Sequence, residues 1–141
     1  MDYNSEIKGV KGIIKSSNNP DKYLLAMHNN TSIENKGKWT FLGGRIEETD
    51  QSYEDTLQRE LIEELNLHLK IEREIGIFEY KQKSRIYMVM SALALNDPSI
   101  VSNEILKIDW FSYDEMIEMH NKSLLQTEFE IMAIEKCNSL L

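Results

Sequence analysis

Two short runs open the readable pattern of the chain, residues 7–15 (IKGVKGIIK) and 22–27 (KYLLAM). Both are rich in β-branched or bulky aliphatic residues and are bounded by turn formers, which predicts strands. The gap between them, Ser16-Ser17-Asn18-Asn19-Pro20-Asp21, has the side chains of a turn. A polar stretch at 29–38 leads into Trp39-Thr40-Phe41-Leu42 and then into Gly43-Gly44. From residue 52 the period becomes helical, with Leu57, Leu61 and Leu65 on one stripe. Ser52 and Asp55 make an N-terminal capping pattern, and Asn66, which tolerates a left-handed backbone, closes the helix. Residues 67–80 and 85–95 then alternate or run apolar, predicting a hairpin of long strands, and 105–111 predicts a shorter one. Residues 113–120 and 124–137 return to helical spacing, with Leu125, Phe129, Met132 and Ile134 as apolar anchors of the second. Strands, helix, strands and helices in that order predict an α+β layered domain, helices packed on a mixed sheet.

At 141 residues, one domain over 1–141 is expected. No apolar run approaches the roughly 20 residues needed to span a bilayer. Residues Met1 to Glu6 contain neither the basic nor the apolar region of a secretory leader. The single cysteine, Cys137, excludes an internal disulfide and suits a reducing, cytoplasmic setting; it reads as a structural side chain. A formal charge of −8, from 24 acidic and 16 basic residues, disfavours nucleic acid as a partner. Lys81, Lys83 and Arg85 form a short basic patch that reads as a solvated face. The expected partner is a small molecule, with no membrane, and the chain is expected as a monomer or homodimer.

The excess carboxylate gains meaning from its position. Glu60, Glu63 and Glu64 stand at i, i+3 and i+4 and so project from one helical face. Such a face is either a solvated surface or a site for a hard cation, since Mg²⁺ and Mn²⁺ take carboxylate oxygens. Gly43-Gly44 just before the helix permits a tight turn and a close backbone approach. Arg59 can brace the acids by charge-assisted hydrogen bonds. A plain surface helix needs neither.

Read as Gly44-x14-Arg59-Glu60-Leu61-Ile62-Glu63-Glu64-Leu65-Asn66-Leu67, the segment resembles the Nudix box, G-x5-E-x7-R-E-U-x-E-E-x-G-U. The R-E-U-x-E-E half matches in full, and the aromatic lead-in Trp39-Thr40-Phe41-Leu42-Gly43-Gly44 is typical of that family. Three departures stand out. The span from Gly44 to Arg59 is one residue too long. With the extra residue placed among Glu48, Thr49 and Asp50, Gln51 falls at the first-Glu position; a later insertion gives that position to Asp50. Asn66 replaces the final Gly, and Leu42 replaces a common proline.

The resemblance implies an α/β/α sandwich around a mixed sheet and metal-assisted hydrolysis of a nucleoside diphosphate linked to a group X. It implies Glu60, Glu63, Glu64 and the carbonyl of Gly44 as ligands of Mg²⁺ (or Mn²⁺), with Arg59 orienting them. The catalytic base is Glu63 or Glu64 within the box, or Glu104, which precedes the strand ending in Trp110-Phe111. The compact chain is similar to MutT-like nucleoside-triphosphate pyrophosphohydrolases, with ADP-ribose or nucleotide-sugar pyrophosphatases as the alternative. A catalytically weak nucleotide-binding regulatory module is the alternative of another class. An isomerase of isopentenyl diphosphate is disfavoured for want of a cysteine near the box, and RNA decapping for want of basic surface. Phe78, Tyr80 and Tyr87 could stack a base or belong to the core.

Overall fold

The computed structural model of the protein describes residues 6–29 and 32–140. The leader reading of Met1–Ser5, and part of the loop at 29–38, therefore lie outside the described residues. Strand β1 (Ile7–Lys15) is central: it runs parallel to β6 (Arg85–Ala94) and antiparallel to β4 (Leu42–Arg45). On one side β6 pairs with β5 (Leu69–Tyr80), the expected hairpin. On the other, β2 (Lys22–His28) joins β1 at its far end and pairs with β3 (Trp39–Thr40) and β7 (Ile105–Ser112). The result is a seven-stranded mixed sheet.

Alternation along the strands sends side chains to two cores. Val10, Ile14, Leu24 and Leu42 face Leu57, Leu61 and Leu65 of helix α1 (Tyr53–Leu65). Ile13, Leu25, Phe41 and Val89 face Met116 of α2 (Tyr113–Asn121) and Phe129, Ile134 and Cys137 of α3 (Phe129–Ser139). One helix below the sheet and two above make the α/β/α sandwich. Both predicted caps of α1 form: the Ser52 hydroxyl accepts from the Asp55 amide at 3.1 Å, and Asn66 takes a left-handed conformation.

Several boundaries differ from the periodic reading. The apolar run at 39–42 divides into two strands, because β3 bonds to β2 whereas β4 crosses to β1. Residues 67 and 68 precede β5, with the His68 amide bonded to Asn96 Oδ1. Helix α3 starts at Phe129 rather than 124. Thr127 and Glu130 set that start: the Phe129 amide donates to Thr127 Oγ1 at 3.1 Å, and the Thr127 amide donates to Glu130 Oε1 at 3.0 Å. Only half of a capping box forms: Glu130 reaches back to the Thr127 amide, but the Thr127 hydroxyl accepts from the Phe129 amide and not from that of Glu130. Leu125, Phe129 and Ile134 are buried, but Met132 is 55% exposed and anchors nothing. With the helix beginning later, its apolar stripe passes through Ile131, Ile134 and Cys137 instead.

Candidate active site

The site is assembled where β4 meets the buried edge of α1. Gly44 lies against the Glu60 carboxyl so closely that a Cβ there would overlap it, and a Cβ on Gly43 would strike the Val10 carbonyl. Glycine at 43 is a steric requirement, the clash being with backbone, whereas a side chain at 44 would push the Glu60 carboxyl aside.

Arg59 holds the loop and the helix together. Its Nε donates to Asp50 Oδ1 and its Nη2 to Asp50 Oδ2, each at 2.9 Å, while Nη2 also reaches the Arg45 carbonyl at 3.0 Å. Asp50 Oδ2 further accepts from Thr56 Oγ1 and from the Glu47 amide, both at 2.9 Å. Those hydrogen bonds, Arg59 first, hold Asp50 down at about 2. Asp50 therefore occupies the first-acid position and Gln51 does not. Gln51 points to solvent, and the extra residue of the loop follows Asp50 instead of preceding it.

The other nitrogen, Arg59 Nη1, donates to Glu60 Oε1 at 3.0 Å and to Glu63 Oε2 at 3.3 Å. Glu63 is exposed on the rim. Glu64 lies inside, 5% exposed, with Oε2 meeting no hydrogen-bond partner. Burial, then the charge of Glu60 beside it, pushes its carboxyl up to about 8. Burial also raises Glu60, against the pull of Arg59. A buried carboxylate oxygen with no donor is costly, and a cation is the group that would satisfy it. The donor set of Glu60, Glu64 and a backbone carbonyl fits a hard divalent ion. As the side chains stand, no three acidic or other ligating groups converge on one point among the described residues. Glu63, drawn to Arg59, is the one that would have to swing inward.

Two cavities share a wall of Lys11, Arg85 and Tyr87. The first, about 470 Å³, has Tyr87 and Phe129 in its wall and Asn35, Glu104 and His28 around it. Glu104 is exposed at the start of β7, its carbonyl fixed by the Asn29 amide at 2.8 Å, and its charge acts on Glu64. The second cavity, about 750 Å³, opens beside Gly44.

A Nudix domain model matches residues 10–131 of the chain. The chain belongs to the Nudix hydrolase family. It is 35% identical over 85 residues to an uncharacterised Nudix hydrolase from a Nostoc species, a stretch that is 57% of this chain and half of that relative's length. A Nudix hydrolase from Nitrosomonas europaea superposes with a TM-score of 0.73 at 23% identity, covering 94% of this chain and 89% of that one. The MutT protein of Methanosarcina mazei gives 0.73 at 20% identity, covering 94% of each chain. The Nudix domain of Shewanella oneidensis NrtR, solved with ADP ribose, gives 0.72 at 17%, covering 97% and 89%. These likenesses establish the α/β/α Nudix fold. No helix among the described residues is long and apolar enough to cross a membrane.

In this Nudix domain, the box brings Gly44, Arg59, Glu60 and Glu64 together and leaves Glu63 on the rim, while Glu104, outside the box, lines the first cavity. Of the three aromatic candidates, Tyr80 is core, its hydroxyl accepting from Asn35 Nδ2 at 2.6 Å. Phe78 packs on Phe129, and Tyr87 lines both cavities. Lys83 and Arg85 are not merely a solvated face, since both border the first cavity. Motif reading missed Lys11, whose ammonium sits 5.1 Å from the Tyr87 ring centre, and His28, held neutral at about 4 by burial and then by Lys11. Lys11 did leave a signal: it is a lysine amid the apolar residues of a central strand.

Proposed function

We propose that the chain is a divalent-metal-dependent hydrolase of nucleoside diphosphates linked to X, and that its substrate is a nucleoside triphosphate, possible oxidised bases included, cut to a nucleoside monophosphate and pyrophosphate. The observation that carries the reading is the buried Glu64 oxygen that meets no hydrogen-bond partner, on the same helical face as Glu60, whose carboxyl lies against Gly44 in the wall of a basic cavity. Glu60, Glu64, Glu63 and the Gly44 carbonyl would hold Mg²⁺ or Mn²⁺. Bound there, the ion supplies charge neutralisation at the phosphate oxygens and a water of lowered pKa.

The remaining work falls to side chains. Arg59 is a positioning residue: through Asp50 it fixes the loop, and through Nη1 it sets Glu60 and Glu63. A water oxygen bonds to one phosphorus, the bridging oxygen departs with the other, and the water proton passes to a carboxylate. The candidate bases for that proton are Glu63 or Glu64 within the box, or Glu104 outside it. Tyr87 and Phe129 offer faces on which a base could lie. The ADP-ribose bound by the NrtR domain motivates a second reading, in which X is a ribose.

The test is turnover of nucleoside triphosphates, oxidised nucleotides, ADP-ribose, dinucleoside polyphosphates and nucleotide sugars with Mg²⁺ or Mn²⁺. Monophosphate plus pyrophosphate from a triphosphate is the expected outcome. Orthophosphate release, or cleavage of ADP-ribose alone, would refute the triphosphate reading. Binding of nucleotides without turnover of any would make the chain a regulatory module.

A further inference from the structure

The second cavity has an unusual wall for an acidic protein. Four cationic side chains, Lys8, Lys11, Arg45 and Arg85, line it with Gly44 and Tyr87, and no acidic side chain does. The chain carries 24 acidic residues and a net charge of −8, so a cavity whose charged lining is all cationic runs against the overall field. None of the four makes an ion pair among the described residues. The backbone contributes to the arrangement. The β1–β6 register slips between Ile7 and Gly9, so Lys8 comes to border the same space as Lys11, while Arg45 ends β4 and Arg85 begins β6.

The two cavities are also continuous. Lys11, Arg85 and Tyr87 belong to both, so the second is a lobe of one groove, and Gly44 stands in the wall of that lobe. A ligand in the first lobe that extends into the second passes Lys11, Arg85 and Tyr87.

We infer that the basic lobe is a receptor for X and selects X by its charge: a phosphate or a chain of phosphates, in place of a neutral sugar. The inference rests on the nucleotide reading only for the occupant of the first lobe. Clustered unpaired cations gain most from a polyanion whose oxygens can meet several of them at once. A neutral X would leave Lys8, Arg45 and Arg85 without a partner, and longer phosphate chains would engage more of them.

Binding and turnover test this separately. In chelator, with no metal and no turnover, inorganic tripolyphosphate is titrated calorimetrically into the full chain, with orthophosphate as the comparison. Tripolyphosphate is expected to bind at least about tenfold more tightly, and each of Lys8→Gln, Arg45→Gln and Arg85→Gln to lose about tenfold, since each removes a charge-assisted contact. All three side chains are exposed, so the variants should melt as the wild type does. In the turnover arm, Arg85→Gln should raise KM for a nucleoside tetraphosphate more than for a nucleotide sugar, with kcat little changed. Failure of wild type to bind tripolyphosphate, or equal losses for charged and neutral X, would overturn the inference. Tight tripolyphosphate binding with no nucleotide turned over would instead defeat the nucleotide reading and leave the lobe standing.

Discussion

Replacing Asp50 by Asn tests which acid closes the loop onto Arg59, because it keeps the shape and removes the charge. The side chain is 4% exposed and accepts four hydrogen bonds, two of them from the guanidinium. Its carboxyl is held at about 2 against an ordinary 3.8. A tenfold change in proton affinity is about 1.4 kcal/mol, so the ionised form stabilises the fold by about 2 kcal/mol at neutral pH. Breaking a fully buried pair costs about 3–5 kcal/mol, and a lower figure is expected here because Arg59 keeps some solvent and three other carboxylates. The sign follows from a depressed folded-state pKa. The contribution is complete above the ordinary value and falls away as pH drops toward about 2, with roughly half left near pH 3. Urea unfolding at pH 7 should therefore show the Asp50→Asn midpoint lowered by about 1 M, with slope unchanged and the gap narrowing in acid. Gln51→Ala is the control and should fall within about 0.5 kcal/mol of wild type. Equal midpoints for wild type and Asp50→Asn, or a comparable loss on changing Gln51, would refute this assignment.

Other outcomes can be checked alongside. Glu64→Gln should lower kcat by at least about 10²-fold by removing a ligand or base, and Glu104→Gln, assayed in parallel, tells whether the base lies outside the box. Wild-type rates in both would dismiss both candidates. In chelator, the raised Glu64 carboxyl stabilises the fold below about pH 4.5, and that contribution is lost as pH rises through about 8. Thermal melts across that range should fall with pH in wild type and fall less in Glu64→Gln, and added Mg²⁺ should restore most at the alkaline end. Phe129→Ala should cost about 3–5 kcal/mol whereas Met132→Ala stays within about 0.5, read by urea midpoints.

Much of the architecture was legible because period and caps agree along the chain. The ends of β1 and the Ser52 and Asn66 caps are local features, and local chemistry decided them. What escaped was non-local or contingent on pairing. The run at 39–42 reads as one strand, and only the choice of partners divides it. Thr127-Glu128-Phe129-Glu130 carries a cap signature, yet a continuous apolar period from Leu125 masks it until Met132 is seen in solvent. Within the site, the carboxylates were readable from i, i+3, i+4 spacing. That Glu64 turns inward while Glu63 meets Arg59 depends on where the sheet lies beneath the helix. Lys8, Lys11, Arg45 and Arg85 come from three separate strands, so no window of sequence contains the basic lobe.

The clasp between Asp50 and Arg59 also bears on how relatives of this chain should be sought. What the fold requires is a buried acid meeting a guanidinium across the loop, and the number of residues between them is set only by how far the chain must travel to the Ser52 cap. Here that path accommodates one more residue, exposed and without visible strain. A search pattern of fixed length would discard such sequences, and one restricted to Glu would discard the shorter acid. A pattern that asks for the pair and lets the interval breathe would keep them, and would group together loops that rigid alignment scatters.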